Sequence, residues 1–483
     1  MGKPAPLQSL RRTKSQDRTA PRKKCQDTTD IPRLVFQLME TATLSNPHDG
    51  LAINGGERTV TAPGPASWLL GPSEIGQEEI DAVVRVMKSK RLFRFLKDRK
   101  DSSVAQFEDL FAEKSGVKNV LAVNSGTSAL ICGLVGIGVS QGDEVLVPAY
   151  TYIATAAAVL ALGAIPILVE VDDSLTMDPL DLEAKITPRT RAIIPVHMRG
   201  MPCDMEAIMG VAGRHNLMVL EDCAQANGAI YHGRAVGTWG NAGAFSLQEF
   251  KIITAGEGGA VISNDKTIFE RAAVYHDSAY AFWMEGRLNT GEGASAEVEA
   301  WKQMCFLGEN YRQSEVHGAI AFEQLKKRDR ILSRTRAIKR KLSAACQGIP
   351  GSRPEKIHDR DGECGISLAL FMGSPEEAVR LSDTLRAEGV SCGTRFSRDI
   401  PDRHIFFHWD YILEHRSPHR HGFPWTSNPA HVPEYTRDMC PKTIDWMERA
   451  VIFSIAQGMS DTYVDQVCLA IDKVAKGLRP VSA

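Results

Sequence analysis

Val120-Leu121-Ala122-Val123-Asn124-Ser125-Gly126-Thr127-Ser128-Ala129-Leu130 reads as a strand, a polar turn and the start of an Ala/Leu-rich helix. Its apolar run is continuous instead of alternating, which suits a strand buried on both faces. The same order recurs downstream. Apolar strands are expected at 144–147, 165–171, 192–196, 217–220, 242–247 and 259–263, with helices from Ser128, from Thr151 and over 205–215. Such alternation specifies an α/β fold with a mostly parallel sheet covered on both faces. Two helices precede it, at 80–90 and 104–114, and a long Lys/Arg-rich helix at 317–346 looks like a bridge between domains. After it, an apolar strand at 366–372, a helix at 375–388, a strand at 390–394 and a last helix at 462–476 make a small α/β unit. The expected division is an N-terminal extension over 1–65, a large domain over 66–345 and a smaller C-terminal α/β domain over 346–483.

Polar residues stand where these apolar runs stop, and ligands of open α/β sheets bind at that edge. The turn Ser125-Gly126-Thr127-Ser128 puts hydroxyls and backbone N–H groups at a helix N-terminus, a ready anion site. Its ordinary alternative is a simple serine cap. In Gly243-Ala-Phe-Ser246-Leu-Gln-Glu-Phe-Lys251-Ile-Ile-Thr-Ala-Gly-Glu-Gly-Gly259 an apolar strand runs into a glycine-rich loop, with one lysine at the junction. Burying an ammonium is costly, and desolvation frees the amine lone pair that a Schiff-base nucleophile needs. The alternative is a surface lysine beside a turn. Asp222 likewise ends the apolar run that starts at Leu217, where it either caps the next helix or faces a pyridinium nitrogen. Ser246 adds a hydroxyl, and Tyr152 offers an aromatic face for a planar ring. A phosphate cradle, a stacking face, an anion for a ring nitrogen and a lysine for an aldehyde together describe a pyridoxal 5′-phosphate (PLP) site.

With those residues in view, the chain resembles the DegT/StrS-type sugar aminotransferases, a branch of the fold-type-I PLP enzymes. The matching text includes Gly71-Pro-Ser-Glu-Ile-Gly, Ser125-Gly-Thr-Ser-Ala-Leu130, the segments 142–152 and 186–192, Pro195-Val-His197, Glu221-Asp222, Lys251 with Gly256-Glu-Gly-Gly259, and Gly308-Glu-Asn-Tyr-Arg312. A further match continues through Cys440-Pro-Lys-Thr443. The resemblance implies catalytic roles for Lys251, which holds the cofactor aldehyde, and Asp222, which partners the ring nitrogen. It implies that Gly126, Thr127 and Ser246 hold phosphate, that Tyr152 stacks, that Gln225 contacts the ring hydroxyl, and that Asn310 reaches the phosphate of a neighbouring subunit in a homodimer. It implies transfer of an amino group from L-glutamate or L-glutamine to a sugar, nucleotide-sugar or cyclitol-like carbonyl. Two departures stand out. The lysine loop reads Ser-Leu-Gln-Glu-Phe-Lys instead of Ser-Phe-His-x-x-Lys, and the stretches 276–306 and 395–435 are unusual. Arg94, Arg199 and Arg395 are candidates for a substrate carboxylate or phosphate, each with a structural ion pair as its alternative. The histidines His404, His408, His415, His419 and His421 line a pocket, bind a metal or form an ordinary loop; no metal is expected from their irregular spacing.

Bulk composition narrows the class. The 483 residues are 24% charged and 43% hydrophobic, which describes an ordinary globular protein with room for two domains. A net charge of −2 argues against general nucleic-acid or membrane-surface binding. Ten scattered cysteines without a CxxC pair fit reduced thiols and a cytoplasmic location. The first 24 residues carry eight lysines and arginines against Asp17 alone, a pattern of a solvated tail or a transit segment. A short helix is expected at 31–44, and a Gly/Pro linker at 55–67. The uncharged run 149–169 divides into a helix, a turn and a buried strand, not a membrane span. Two rival readings remain: a PLP-dependent sugar dehydratase of the same family, in which histidine replaces the lysine, and a PLP-binding regulator.

Overall fold

The computed structural model describes residues 50–478 apart from 97, 280–294, 302–305 and 428–430. The basic tail, the expected helix at 31–44 and much of the 276–306 stretch therefore lie outside the described residues. The described residues from 50 onward form one compact unit.

Its centre is a sheet of β1 (Asn119–Val123), β2 (Glu144–Pro148), β3 (Ile165–Val169), β4 (Thr190–Ile193), β5 (Met218–Asp222), β8 (Ala242–Ser246) and β9 (Gly259–Ser263), with a short hairpin of β6 (Ile230–Tyr231) and β7 (Arg234–Ala235) outside it. The order is β1-β9-β8-β5-β4-β2-β3. Strands β3, β2, β4, β5 and β8 pair in parallel, while β9 runs antiparallel to both β8 and β1. The sheet is thus mostly parallel, as the continuous apolar runs require. Around it lie α1 (Gln77–Ser89), α2 (Ser103–Ser115), α3 (Gly126–Gly136), α4 (Ala154–Ala161), α5 (Pro179–Ala184), α6 (Met205–His215), α7 (Lys266–His276), α8 (Ala296–Trp301) and α9 (Glu315–Cys346). Side-chain caps set several of these starts: Ser102, Ser125, Asp204 and Ser314 each accept from an N–H in the first turn, satisfying donors that would otherwise be orphaned.

A second sheet, β10 (Arg353–Pro354), β11 (Ser367–Phe371), β12 (Cys392–Thr394) and β13 (Ala450–Ser454), has the order β10-β11-β13-β12. It packs with α10 (Pro375–Ala387), α11 (Asp410–Leu413), α12 (Pro441–Arg449) and α13 (Asp461–Gly477).

Two expectations need correction. The helix expected from Thr151 begins at Ala154; the N–H groups of Thr151 and Ile153 donate to the carbonyls of His404 and Arg403, which holds the bend ahead of the helix against that segment. The stretch expected as a linker at 55–67 is partly built into the core. Leu51 and Val60 are buried among side chains of α10 and α13. The Glu388 carboxylate accepts from the N–H groups of Ala52 (2.8 Å) and Thr59 (3.0 Å). No described helix is long and apolar enough to cross a membrane.

Candidate active site

A cavity of about 740 Å³ lies at the C-terminal ends of β5 and β8 and the N-terminus of α3, within the usual size of a small-molecule site. Its lining brings together Gly126, Thr127, Tyr152, Asp222, Gln225, Ser246 and Lys251 from four separate segments of the chain. Asn310 is exposed and does not line it.

The anion cradle is set by two close backbone approaches. Ser125 caps α3, its hydroxyl accepting from the Ser128 N–H at 3.0 Å, and Ser128 in turn donates to Asn124 at 2.6 Å. A Cβ on Gly126 would sit 2.7 Å from the Ser246 Cβ, so only glycine lets the Ser246 hydroxyl reach this helix end. A Cβ on Gly259 would fall 2.4 Å from the Ser125 carbonyl oxygen. Hydroxyls of Thr127 and Ser246 thus flank a helix N-terminus, the donor set that a phosphate monoester needs.

Asp222 is buried at the end of β5, and its two oxygens accept from the Ala224 N–H (3.0 Å) and the Thr155 hydroxyl (2.9 Å). Burial pushes its carboxyl above the usual carboxylate range, against the Ala224 and Thr155 hydrogen bonds and the Lys251 charge. A ring nitrogen that carries a proton is the partner such a carboxyl lacks. Lys251 sits in the turn after β8, largely shielded, and its amine makes no hydrogen bond or ion pair with a described residue. Burial pulls the amine below the ordinary lysine range, opposed in part by the Asp222 charge. Gln225 accepts the Arg199 N–H on its side-chain oxygen at 2.9 Å, and its NH2 group has no partner among the described residues. The donor and acceptor chemistry of these groups is compatible with PLP: hydroxyls and amides at the α3 N-terminus would suit its phosphate, the buried Asp222 carboxyl a protonated ring nitrogen, and the Lys251 amine its aldehyde.

Behind the cavity, His197, Glu221 and Cys223 come close enough to hold a metal. Their atoms are already committed. His197 Nε2 lies 3.0 Å from Glu221, its Nδ1 accepts from the Cys203 N–H, and Glu221 also accepts from Gly237 and Gly240. The His197 backbone N–H donates to the Asp222 carbonyl, so this knot fixes the strand end that carries Asp222.

Of the three candidate arginines, Arg94 takes its structural alternative: it is buried, and one guanidinium nitrogen meets both Glu108 oxygens at 2.7 and 2.8 Å. Arg199 is buried and paired with Glu355 at 2.6 Å. Arg395 is exposed and has no such pair among the described residues. Sequence reasoning missed Thr155, Phe250, Glu257 and Arg403 as lining residues and could name His404 only within a stretch of histidines. His404 lies with its ring 5.3 Å from that of Tyr152. No local pattern signals Arg403 and His404, since they meet Tyr152 from about 250 positions away.

A family model described as the DegT/DnrJ/EryC1/StrS aminotransferase family matches residues 73–410. GDP-perosamine synthase of Escherichia coli O157:H7 is 40% identical over 240 residues, covering 50% of this chain and 62% of that relative. The chain thus spans less than two thirds of that relative's length. L-glutamine:2-deoxy-scyllo-inosose aminotransferase of Streptomyces lividus is 37% identical over 302 residues, covering 62% of this chain and 68% of that protein. The solved aminotransferase from Psychrobacter cryohalolentis superposes with a TM-score of 0.68 at 27% identity, covering 86% of this chain and 98% of that one.

Proposed function

Because the chain belongs to the DegT/DnrJ/EryC1/StrS aminotransferase family, we propose that it transfers an amino group from L-glutamate or L-glutamine to the carbonyl of a sugar, nucleotide sugar or cyclitol, with PLP as cofactor. One observation carries this reading: Lys251, an amine without a hydrogen-bond or ion-pair partner among the described residues, and a buried carboxyl, Asp222, share one cavity at a helix N-terminus. PLP, when bound, supplies an electron sink for charge developing at the substrate carbon. The chain does the rest. Lys251 would hold the aldehyde, and its Nζ would move a proton to and from that carbon. Asp222 keeps a proton on the ring nitrogen, and Thr155 and Ala224 fix the carboxyl that does so. Tyr152 covers the ring, and Thr127, Ser246 and the α3 amides hold the phosphate.

The two relatives point to acceptors of two kinds, a nucleotide-linked sugar and a cyclitol. The reading of the assembly is a homodimer, with Asn310 completing a neighbouring subunit's phosphate site. Asn310 is exposed, and Leu307 close by in sequence is 89% exposed, which leaves that loop apolar surface to bury against a second copy. A cytoplasmic location fits the eight described cysteines, all free thiols. In the same reading, residues 66–345 carry the cofactor and residues 346–483 close the site through Arg403 and His404. The test is incubation with L-glutamate or L-glutamine and a panel of keto-sugars and cyclitol ketones, with mass analysis of products. Amination of one acceptor, dependent on donor and on Lys251, is expected; no amination across the panel with either donor contradicts the proposal.

A further inference from the structure

The β6–β7 hairpin, the C-terminal end of α2 and the middle of α9 enclose a compartment of about 470 Å³ that shares no lining residue with the cofactor cavity. Its charged walls are Lys114, Arg328, Asp329 and Arg336, three cations against one carboxylate. Asp329 is already shared, since it takes Lys114 at 2.6 Å and the Arg328 Nε at 3.0 Å. Among the described residues Arg336 meets only carbonyls: Gly228 at 3.3 Å, Gly362 at 3.2 Å and Glu363. The two guanidinium groups converge. Arg336 Nη2 donates to the Gly228 carbonyl, and the Arg328 Nε lies 2.9 Å from where a Cβ on Gly228 would stand. Donors here outnumber acceptors. Arg328 is 7% exposed, and its Nη2 makes no hydrogen bond with a described residue; nor does the Arg336 Nη1. Behind Arg328, the Asn227 side-chain oxygen accepts from Nη1 at 3.4 Å, and its own Nδ2 is buried without a partner. A cation kept from water with a donor unfilled is costly unless an acceptor meets it.

We infer that this compartment binds the phosphate group of a small phosphorylated molecule, held between Arg328 and Arg336. Guanidinium edges take phosphate oxygens in bidentate fashion. Charge selects phosphate over carboxylate. The walls carry two positive charges in excess, and a phosphate monoester near neutral pH carries about two negative ones. Size selects a ligand with a body beyond its phosphate: Ile230, Val236 and Leu332 also line the compartment, and about 470 Å³ lies within the range of small-molecule sites. Asn227 and Gly228, which meet the two arginines, stand just after Gln225 in the chain. The anion therefore sits at the far end of the segment that begins with Asp222.

The experiment is equilibrium dialysis of the PLP-loaded protein against labelled inorganic phosphate. Bound PLP fills the α3 cradle, so retained phosphate reports a second site. Wild type is compared with Arg328→Gln and with Ser115→Glu, which puts a carboxylate on the compartment wall and leaves both arginines in place. Wild type should retain one phosphate per chain. Each variant should raise the phosphate Kd about 10- to 100-fold while the visible band of bound PLP stays as in wild type. Should Arg328→Gln fail to fold, Ser115→Glu decides alone. Acetate, a monoanion, should displace the labelled phosphate only weakly. Three results overturn the site: no phosphate retained by wild type, wild-type affinity in the folded variants, or acetate competing as well as phosphate.

Discussion

The Thr155 hydroxyl donates to Asp222 at 2.9 Å and itself lies 2.8 Å from the Thr151 hydroxyl, so a two-threonine chain holds the buried carboxyl from one side. That chain exists because α4 starts late, leaving Thr151 in the bend ahead of it. Thr155→Val keeps the shape and removes a hydrogen bond to the carboxylate. The rate of the donor half-reaction should fall about 10-fold, with Thr155→Ser close to wild type. Asp222→Ala should cost about 100-fold or more, since among the described residues Asp222 is the one buried carboxyl lining the cavity. Stopped-flow bleaching rates for the three variants check this order.

Lys251 should react at a lower pH than an ordinary lysine. Its folded pKa is depressed, so free amine is present above that value and is lost as pH falls through it. Competitive labelling of the PLP-free protein, read by mass spectrometry at residue 251, should give a midpoint below the ordinary lysine value of about 10.4. Asp222 opposes the depression, so Asp222→Asn should move the midpoint lower still. An upward shift contradicts the electrostatic account.

Glu388 ties the segment around Leu51 and Val60 to the C-terminal sheet. Burial raises its pKa, but the Lys473 ammonium and the Ala52 and Thr59 donors outweigh this and hold the carboxyl below the usual range. A carboxyl depressed in the folded state stabilises it above the unfolded value, and that stability is lost as pH falls through the folded pKa. Glu388→Ala should cost about 1–3 kcal/mol in denaturant unfolding and expose residues 50–60 to hydrogen exchange. The cost should shrink at low pH.

Four buried charges join the two sheets: Arg199 with Glu355, and Lys339 of α9 with Glu355 and Glu363. Removing Lys339 leaves two buried carboxylates facing each other with one cation. Lys339→Ala should destabilise by about 3–5 kcal/mol, whereas its neighbour on the exposed face, Arg340→Ala, should change stability little. Equilibrium unfolding of both variants measures the difference.

The fold was legible where local pattern and tertiary role agree. Gly259–Ser263 and Met205–His215 show their full extent in the sequence, because glycine or an aspartate cap marks the start and apolar spacing does the rest. The central strand of the second sheet, Ala450–Ser454, went unseen because α12 runs into it directly from Arg449 with no turn residue between. Lys266–His276 was missed for a different reason: its apolar and charged residues are interleaved on a helix buried against α3. At the site, Lys251, Asp222 and the Ser125–Ser128 turn stand at the ends of apolar runs and could be read locally. Thr155, Arg403 and His404 could not. Thr155 meets Asp222 across 67 positions, and the Tyr150–Ile405 bridge, a pairing that no short-range pattern encodes, lies beside Arg403 and His404.

The central claim is that Lys251 is the amine that holds PLP. The most direct measurement is the visible absorption spectrum of the protein with PLP, alongside Lys251→Ala, before and after L-glutamate or L-glutamine. Wild type should show a band that one donor bleaches, and Lys251→Ala should show neither the band nor turnover. A Lys251→Ala protein that keeps both the wild-type band and its donor-dependent bleaching would contradict the account.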